Sequence, residues 1–198
     1  MWKRFVVNML ILFFCLPCFV FAEGEQGRTF RQQQRAKWQQ HRQEQREENR
    51  QFRQSLKGKS KEEKISAIKQ HRQQQYAENK AFAEQIHQEN LEFLKSRLAN
   101  NTRLTDAQKE ELINHFEKQY EENVAFRDER YSENVAFFEQ IANNPNMTLE
   151  EKKAAIKAHI EEEKAKTKAH WEQQKEENKA LKEKIKSEMQ SQEQSKDK

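Results

Sequence analysis

The sequence predicts an all-α protein with four long helices in an elongated antiparallel bundle or coiled coil of hendecad (eleven-residue) periodicity. Three observations predict this fold. The 198 residues include only 3 Gly and 2 Pro and are rich in the helix-forming residues Gln, Glu, Lys and Ala. A polar motif containing His recurs at helical spacing. Three short breaks each end in residues typical of a helix start.

The first 22 residues have the layout of a secretory signal peptide. Lys3 and Arg4 precede an apolar run over residues 5–21, and Ala22 offers a small residue for cleavage before the polar chain begins at Glu23. A retained membrane anchor is the alternative, although the run is at the short end for crossing a bilayer. The sequence therefore predicts a protein that is exported.

Both cysteines, Cys15 and Cys18, lie within this N-terminal segment. The processed chain would contain no cysteine. Disulfides, thiolate metal sites and cysteine nucleophiles are therefore not expected.

Charge is distributed in blocks along the chain. Residues 28–75 contain 14 Lys and Arg but 5 Asp and Glu, whereas residues 76–163 contain 11 and 19. The basic and acidic blocks are expected to attract each other, either within one molecule or between two copies.

One polar motif occurs four times: a His, a Gln four residues later, and Glu-Asn seven and eight residues later. We call it the HQEN motif. It spans residues 41–49, 71–79, 115–123 and 170–178.

Aromatic residues extend this motif at intervals of eleven, as at Phe30, His41 and Phe52. Eleven residues make three helical turns, so these side chains return to one side of a helix and form a mixed polar and aromatic seam. We expect each His in the seam to bond to a Gln or Asn across it, and the Asn residues to fix the register.

Three breaks divide the helical pattern, and each is followed by a capping box, in which a Ser or Thr and the side chain three residues later cap the helix start. The boxes begin at Ser60, Thr105 and Thr148. The predicted helices cover 28–57, 60–99, 105–142 and 148–190.

The predicted helices form one elongated helical repeat domain over 23–190, followed by a disordered tail over 191–198. Gly58 marks the weakest of the three breaks, so fusion of the first two helices into a longer rod is an alternative.

No residue pattern indicates catalysis or a metal site. His159 and His170 share a helix face, but eleven residues separate them by about 16 Å along the axis, too far for one ion. The sequence lacks a Gly-rich phosphate loop and the Gly-x-Ser-x-Gly and His-Glu-x-x-His motifs. We therefore expect neither enzymatic activity nor a cofactor.

The first predicted helix is strongly basic, which suits an acidic partner surface. An exported protein seldom meets nucleic acid, so we do not expect a nucleic-acid partner. Trp38 and Phe52 interleave with these basic residues, and Phe82, Phe126 and Phe137 lie in the later helices. These aromatic residues are candidates for apolar contact, although they are equally suited to a core. The candidate contact residues are Arg42, Arg46, Arg50, Arg53, Trp38, Phe52, Phe82, Phe126 and Phe137.

Residues 104–108, Leu-Thr-Asp-Ala-Gln, match the Leu-Thr-x-x-Gln signature (LTxxQ), and residues 147–151, Met-Thr-Leu-Glu-Glu, look like a degenerate second copy. The chain thus resembles the Spy/CpxP family of helical proteins. The resemblance implies a periplasmic protein, a dimer, and binding of unfolded or envelope proteins without ATP.

The leading functional hypothesis is accordingly an exported, periplasmic, ATP-independent chaperone or envelope-stress adaptor. A structural coiled-coil scaffold of the envelope is the main alternative. A peripheral protein with weak contact to the membrane surface is a further one, since amphipathic eleven-residue repeats also occur in helices that bind lipid.

Overall fold

A computed structural model describes residues 25–196 of the chain, and the predicted signal peptide lies outside them. Within this range the chain is helical and contains no strand. The predicted all-α class with four long helices is confirmed. The helices are α1 (Glu25–Ser55), α2 (Lys61–Ala99), α3 (Asp106–Asn143) and α4 (Leu149–Lys196).

Capping boxes begin α2, α3 and α4, as the sequence predicts. At α2, the Glu63 amide donates to Ser60 Oγ (3.2 Å) while the Ser60 amide donates to Glu63 Oε2 (2.7 Å). Equivalent reciprocal bonds join Thr105 to Gln108 and Thr148 to Glu151. Each box satisfies amides that the first helical turn leaves unpaired.

The chain turns differently at its three breaks. Gly58 has a φ of 79°, the only positive φ among residues 25–196, and glycine adopts this conformation without steric cost. Asn100 is the C-cap residue of α2, and its backbone N–H donates to the Leu98 carbonyl. Pro145 follows Asn144 after α3, and proline cannot continue a helix because it lacks an N–H.

The described chain divides into two compact units, residues 25–101 and residues 102–196. The sequence analysis expected one elongated helical repeat domain over 23–190. Within residues 25–196, α1 packs with α2 in one unit and α3 packs with α4 in the other.

Each unit is an antiparallel helical hairpin. As α1 runs from Phe30 to Phe52, its ring contacts on α2 run backward from Phe93 to His71. In the second unit, Gln108 near the start of α3 contacts Glu188, whereas Asn134 further along contacts His159.

Helix α4 is longer than predicted. It continues to Lys196, so residues 191–196 are helical where the sequence analysis expected a disordered tail from 191. No Gly or Pro interrupts this stretch, and Ser191 Oγ donates to the Ser187 carbonyl (3.0 Å). Each residue added to an existing helix gains one hydrogen bond, so extending a helix is much more favourable than starting one.

The hairpins are thin, and their buried residues include many polar ones. Only four residues of α1 are buried, Gly27, Gln34, Trp38 and Asn49. Apolar burial is greater around Leu98 of α2, which is 1 % exposed. No helix in residues 25–196 has the length and apolar character needed to cross a membrane.

Candidate functional site

In the first hairpin, two copies of the HQEN motif pair with each other in opposite directions. His41 Nε2 lies 2.7 Å from Asn79 Oδ1, and His71 Nε2 lies 3.2 Å from Asn49 Oδ1. The first residue of each copy therefore meets the last residue of the other copy. The motif is self-complementary.

The second hairpin repeats this reciprocal arrangement with the other two copies. His115 bonds to Asn178 and His170 bonds to Asn123, each with a Nε2–Oδ1 distance of 2.9 Å. The structure thus confirms the expectation that the seam histidines bond to amides across the seam. Each hairpin thus has one seam, which is the row of contacts between its two helices.

The direction of each His–Asn bond follows from what the amide nitrogen does. Asn79 Nδ2 donates to the Gln75 carbonyl (2.7 Å), and Asn123 Nδ2 donates to the Gln119 carbonyl (2.7 Å). The Asn oxygen must then accept, so the imidazole Nε2–H is the donor. His41 and His170 are thus linked through an Asn side chain to the backbone of the facing helix. His71 and His159 are linked in the same way through Asn49 and Asn134.

Aromatic stacking accompanies these hydrogen bonds. Where a Phe lies three residues after the Asn, one turn further along the partner helix, the imidazole stacks flat on its ring. Ring centroids are 3.9–4.1 Å apart in the pairs His41–Phe82, His71–Phe52, His170–Phe126 and His159–Phe137.

Phe30 occupies a seam position at which the next repeat has a histidine. It lies eleven residues before His41 and stacks on Phe93, with ring centroids 4.0 Å apart and an interplanar angle of 5°. Ring stacking is therefore present at this position even though Phe30 cannot donate a hydrogen bond to an Asn side chain.

The centre of the second seam is polar and buried. Gln119 Nε2 donates to the Gln174 carbonyl (3.2 Å), and Gln174 Nε2 donates to the Gln119 carbonyl (3.4 Å). Eleven residues along α3, Arg130 takes the place of Gln119 and forms an ion pair with Glu163 at 2.8 Å. Glu163 is 1 % exposed, so loss of Arg130 would leave a buried carboxylate unpaired.

The seams are flanked by charge pairs that also repeat. Lys37 contacts Glu89 at 2.6 Å in the first hairpin, and Lys166 contacts Glu133 at 2.8 Å in the second. Eleven residues after Lys37, the equivalent position is Glu48. Burial, and secondarily the nearby Glu78 carboxylate, raise the pKa of Glu48.

The predicted arginines lie at the surface. Each follows directly after a seam residue, so they form a stripe along α1 beside the seam. Arg42 donates from Nε to the Trp38 carbonyl (3.2 Å), and Arg50 forms an ion pair with Glu47 (2.7 Å). The four exposed arginines of this basic stripe are Arg42, Arg46, Arg50 and Arg53.

The predicted aromatic contact residues occupy the seams instead of an open surface. Trp38 is 8 % exposed and packs edge-on against Phe82, with ring centroids 4.7 Å apart. The four phenylalanines, Phe52, Phe82, Phe126 and Phe137, are partly buried under imidazole rings. The structure thus brings the aromatics together within each hairpin, but not with the arginine side chains as one surface.

Two large apolar residues that are exposed within residues 25–196 were not predicted. Trp171 is 39 % exposed with the Lys175 ammonium 5.4 Å from its ring centroid, and Leu149 is 56 % exposed at the start of α4. The sequence carried a signal for Trp171, because it directly follows seam residue His170 and therefore points off the seam.

The LTxxQ signature has a clear structural role. Leu104 is buried, Thr105 and Gln108 form the capping box of α3, and Gln108 Nε2 also donates to Glu188 on α4 (3.0 Å). The Gln thus caps one helix and connects it to the other helix of its hairpin. The second copy forms only the cap, through Thr148 and Glu151.

Comparison of the chain with protein-family models, with curated proteins and with solved structures found no match. In residues 25–196, no three His, Asp or Glu side chains come together as a metal site.

Replacing Asn123 with alanine should lower the free energy of unfolding by about 1–3 kcal/mol, since His170 would lose its acceptor in a buried seam. Urea unfolding followed by circular dichroism measures this. Asn114→Ala is the matched control, because Asn114 is an exposed residue of the same helix and should change stability little. Equal effects of the two substitutions would contradict the assigned role of the seam.

Stability should also depend on pH through His71 and His170. Burial lowers the pKa of both imidazoles, partly opposed by Glu78 at His71 and by Glu122 and Glu177 at His170. The folded state then binds fewer protons than the unfolded one. The stability from the neutral rings is present above about pH 6.5 and is lost as the pH falls through the folded pKa.

The test is the urea midpoint at about pH 7.5 and pH 5.5, compared between the wild type and the double variant His71→Gln/His170→Gln. The midpoint of the wild type should fall more on acidification. The raised pKa of Glu48 has the opposite effect on stability, but Glu48 is present in both proteins. The difference between the two changes in midpoint therefore reports the imidazoles. An equal fall in both proteins would refute the prediction.

Proposed function

We propose that this protein is an exported, ATP-independent chaperone or envelope-stress adaptor that binds unfolded or envelope proteins. The observation that supports this best is the basic stripe on α1, with exposed Arg42, Arg46, Arg50 and Arg53. These four residues are separated by four, four and three positions, which together make one eleven-residue interval. They therefore extend over about 16 Å along one side of the helix. An acidic or partly unfolded segment of that length can contact several guanidinium groups at once.

Client contact in this proposal is mainly electrostatic. Exposed arginine pairs contribute little each, and salt screens them. Several weak contacts along one stripe therefore give binding that is fast and easily released without nucleotide. Exposed Trp171 adds an apolar contact in the second hairpin, and the seam aromatics keep the hairpins closed.

The LTxxQ resemblance supports the same class of function. Both copies begin helices with capping boxes, which is consistent with helical periplasmic proteins of the Spy/CpxP type. Periplasmic location and self-association into a dimer belong to this proposal.

A structural envelope scaffold is the second candidate. It is favoured by one observation: the predicted aromatic contact residues are engaged within the hairpins, as Trp38 and Phe82 are with each other. A scaffold of this kind would form rods or larger assemblies and would not respond to unfolded proteins. Sedimentation with and without an unfolded client distinguishes the two candidates.

The purified protein should suppress aggregation of a thermally unfolded acidic client in the absence of nucleotide. Changing Arg42, Arg46, Arg50 and Arg53 to Gln should increase the amount needed for equal protection several-fold, and added salt should weaken the wild type similarly. The control changes Lys157, Lys168, Lys179 and Lys186 to Gln, which removes equal charge from exposed positions of α4.

The control variant should protect as well as the wild type. If the wild-type protein gives no protection at several-fold molar excess, the chaperone proposal is wrong. If both quadruple variants lose protection equally, the basic stripe is not the contact surface.

A further inference from the structure

In the turn of the first hairpin, helix-like hydrogen bonds continue past the end of α1. The Lys57 amide donates to the Gln54 carbonyl (3.1 Å), and the Lys59 amide donates to the Leu56 carbonyl (3.4 Å), so helix-like turns continue beyond the end of α1. The reversal of the chain depends on Gly58 with its positive φ. Only the short segment from Gly58 to Ser60 must change to join α1 to α2.

The second hairpin lacks this option. Pro145 lies in its turn, and a proline inside a helix removes a hydrogen bond and clashes with the preceding turn. A continuous helix through α3 and α4 is therefore strongly disfavoured. The two hairpins thus provide an internal comparison.

A continuous α1–α2 helix would keep the seam residues on one side. Asn49 and His71 are 22 residues apart, which is two eleven-residue intervals. They would therefore return to the same side of one helix. Both HQEN motifs of the first hairpin would then lie along a single rod.

The pairing of the motifs is also independent of which chain supplies each copy. In the closed hairpin, residues 41–49 pair antiparallel with residues 71–79 of the same chain. Two antiparallel rods would place 41–49 of each chain against 71–79 of the other. Every His–Asn bond and His–Phe stack of the hairpin would then form twice.

We propose that this chain pairs with a second copy of itself by exchanging helices of the first hairpin. Gly58 acts as the hinge: α1 and α2 open into one helix, and two opened copies pair antiparallel through the contacts that close the hairpin. The partner is a second copy because the HQEN motif is complementary to itself in this register. The inference rests on the seam and does not depend on the proposed chaperone function.

The closed and exchanged forms share their cross-helix contacts, so their balance depends on the turn and on protein concentration. Opening loses the Ser60–Glu63 capping box and gains helical hydrogen bonds across the former turn. Few residues of α1 are buried, and segments with little burial open readily. Exchange is therefore accessible without global unfolding.

Substitution of Gly58 tests the hinge. Gly58→Ala disfavours the positive φ of the turn and favours helix, so it should strengthen dimerisation by about tenfold in sedimentation velocity. Gly58→Asn is the matched control, since Asn tolerates positive φ better than Ala and should dimerise nearly as the wild type does.

Carbodiimide coupling tests the exchange itself. The Lys37 ammonium lies 2.6 Å from a Glu89 carboxylate oxygen, so a zero-length reagent can join them by an amide bond. Light and ¹⁵N-labelled chains are mixed and equilibrated, the dimer is isolated, and coupled peptides are analysed by mass spectrometry. Hybrid Lys37–Glu89 peptides, with one light and one heavy half, are expected.

The Lys166–Glu133 pair of the second hairpin, at 2.8 Å, is the control. It should give only peptides with two light or two heavy halves, because Pro145 prevents the equivalent opening. A dimer without hybrid Lys37–Glu89 peptides would overturn the proposal. So would the absence of any dimer of both wild type and Gly58→Ala at high concentration.

Discussion

The structure of each hairpin depends on one recurring interaction, in which an imidazole N–H on one helix donates to the side-chain oxygen of an Asn on the other helix. The Asn Nδ2 in turn donates to a carbonyl four residues earlier on its own helix. Apolar burial is limited in these thin hairpins, so polar contacts must fix the register. An unpaired buried amide or imidazole costs more than a paired one gains. A shift in register would therefore break several bonds at once. This explains why a chain with 34 % hydrophobic residues forms ordered seams.

The same interaction explains the spacing of the repeat. Because two antiparallel copies meet head to tail, each HQEN motif needs His at one end, Asn at the other and a Gln between them. The flat stack of His41 on Phe82 adds apolar contact beside the polar bond. Arg130 and Glu163 replace the two central Gln residues eleven residues further along, where an ion pair takes over from amide–backbone bonds. Equivalent positions of the seam can thus hold either a pair of Gln residues or an ion pair while the eleven-residue spacing stays constant.

The sequence predicted the four helices because composition, capping boxes and periodicity all indicated the same structure. It also predicted that the seam histidines bond to amides. The particular pairing of His41 with Asn79 could not be predicted, since it requires the relative register of two helices that periodicity alone leaves open. The end of α4 was placed too early, although residues 191–196 contain no Gly or Pro that would stop a helix. Trp38 and the seam phenylalanines were ambiguous, because aromatic residues at this spacing serve a core and a binding surface equally well.

The most direct test of this account is the tautomer of the seam histidines, measured by ¹⁵N-edited NMR near neutral pH. His41, His71, His115, His159 and His170 should each carry the proton on Nε2, and these protons should exchange slowly with water because each is bonded to an Asn oxygen. Nδ1-protonated tautomers or rapidly exchanging imidazole protons at these five residues would contradict the account.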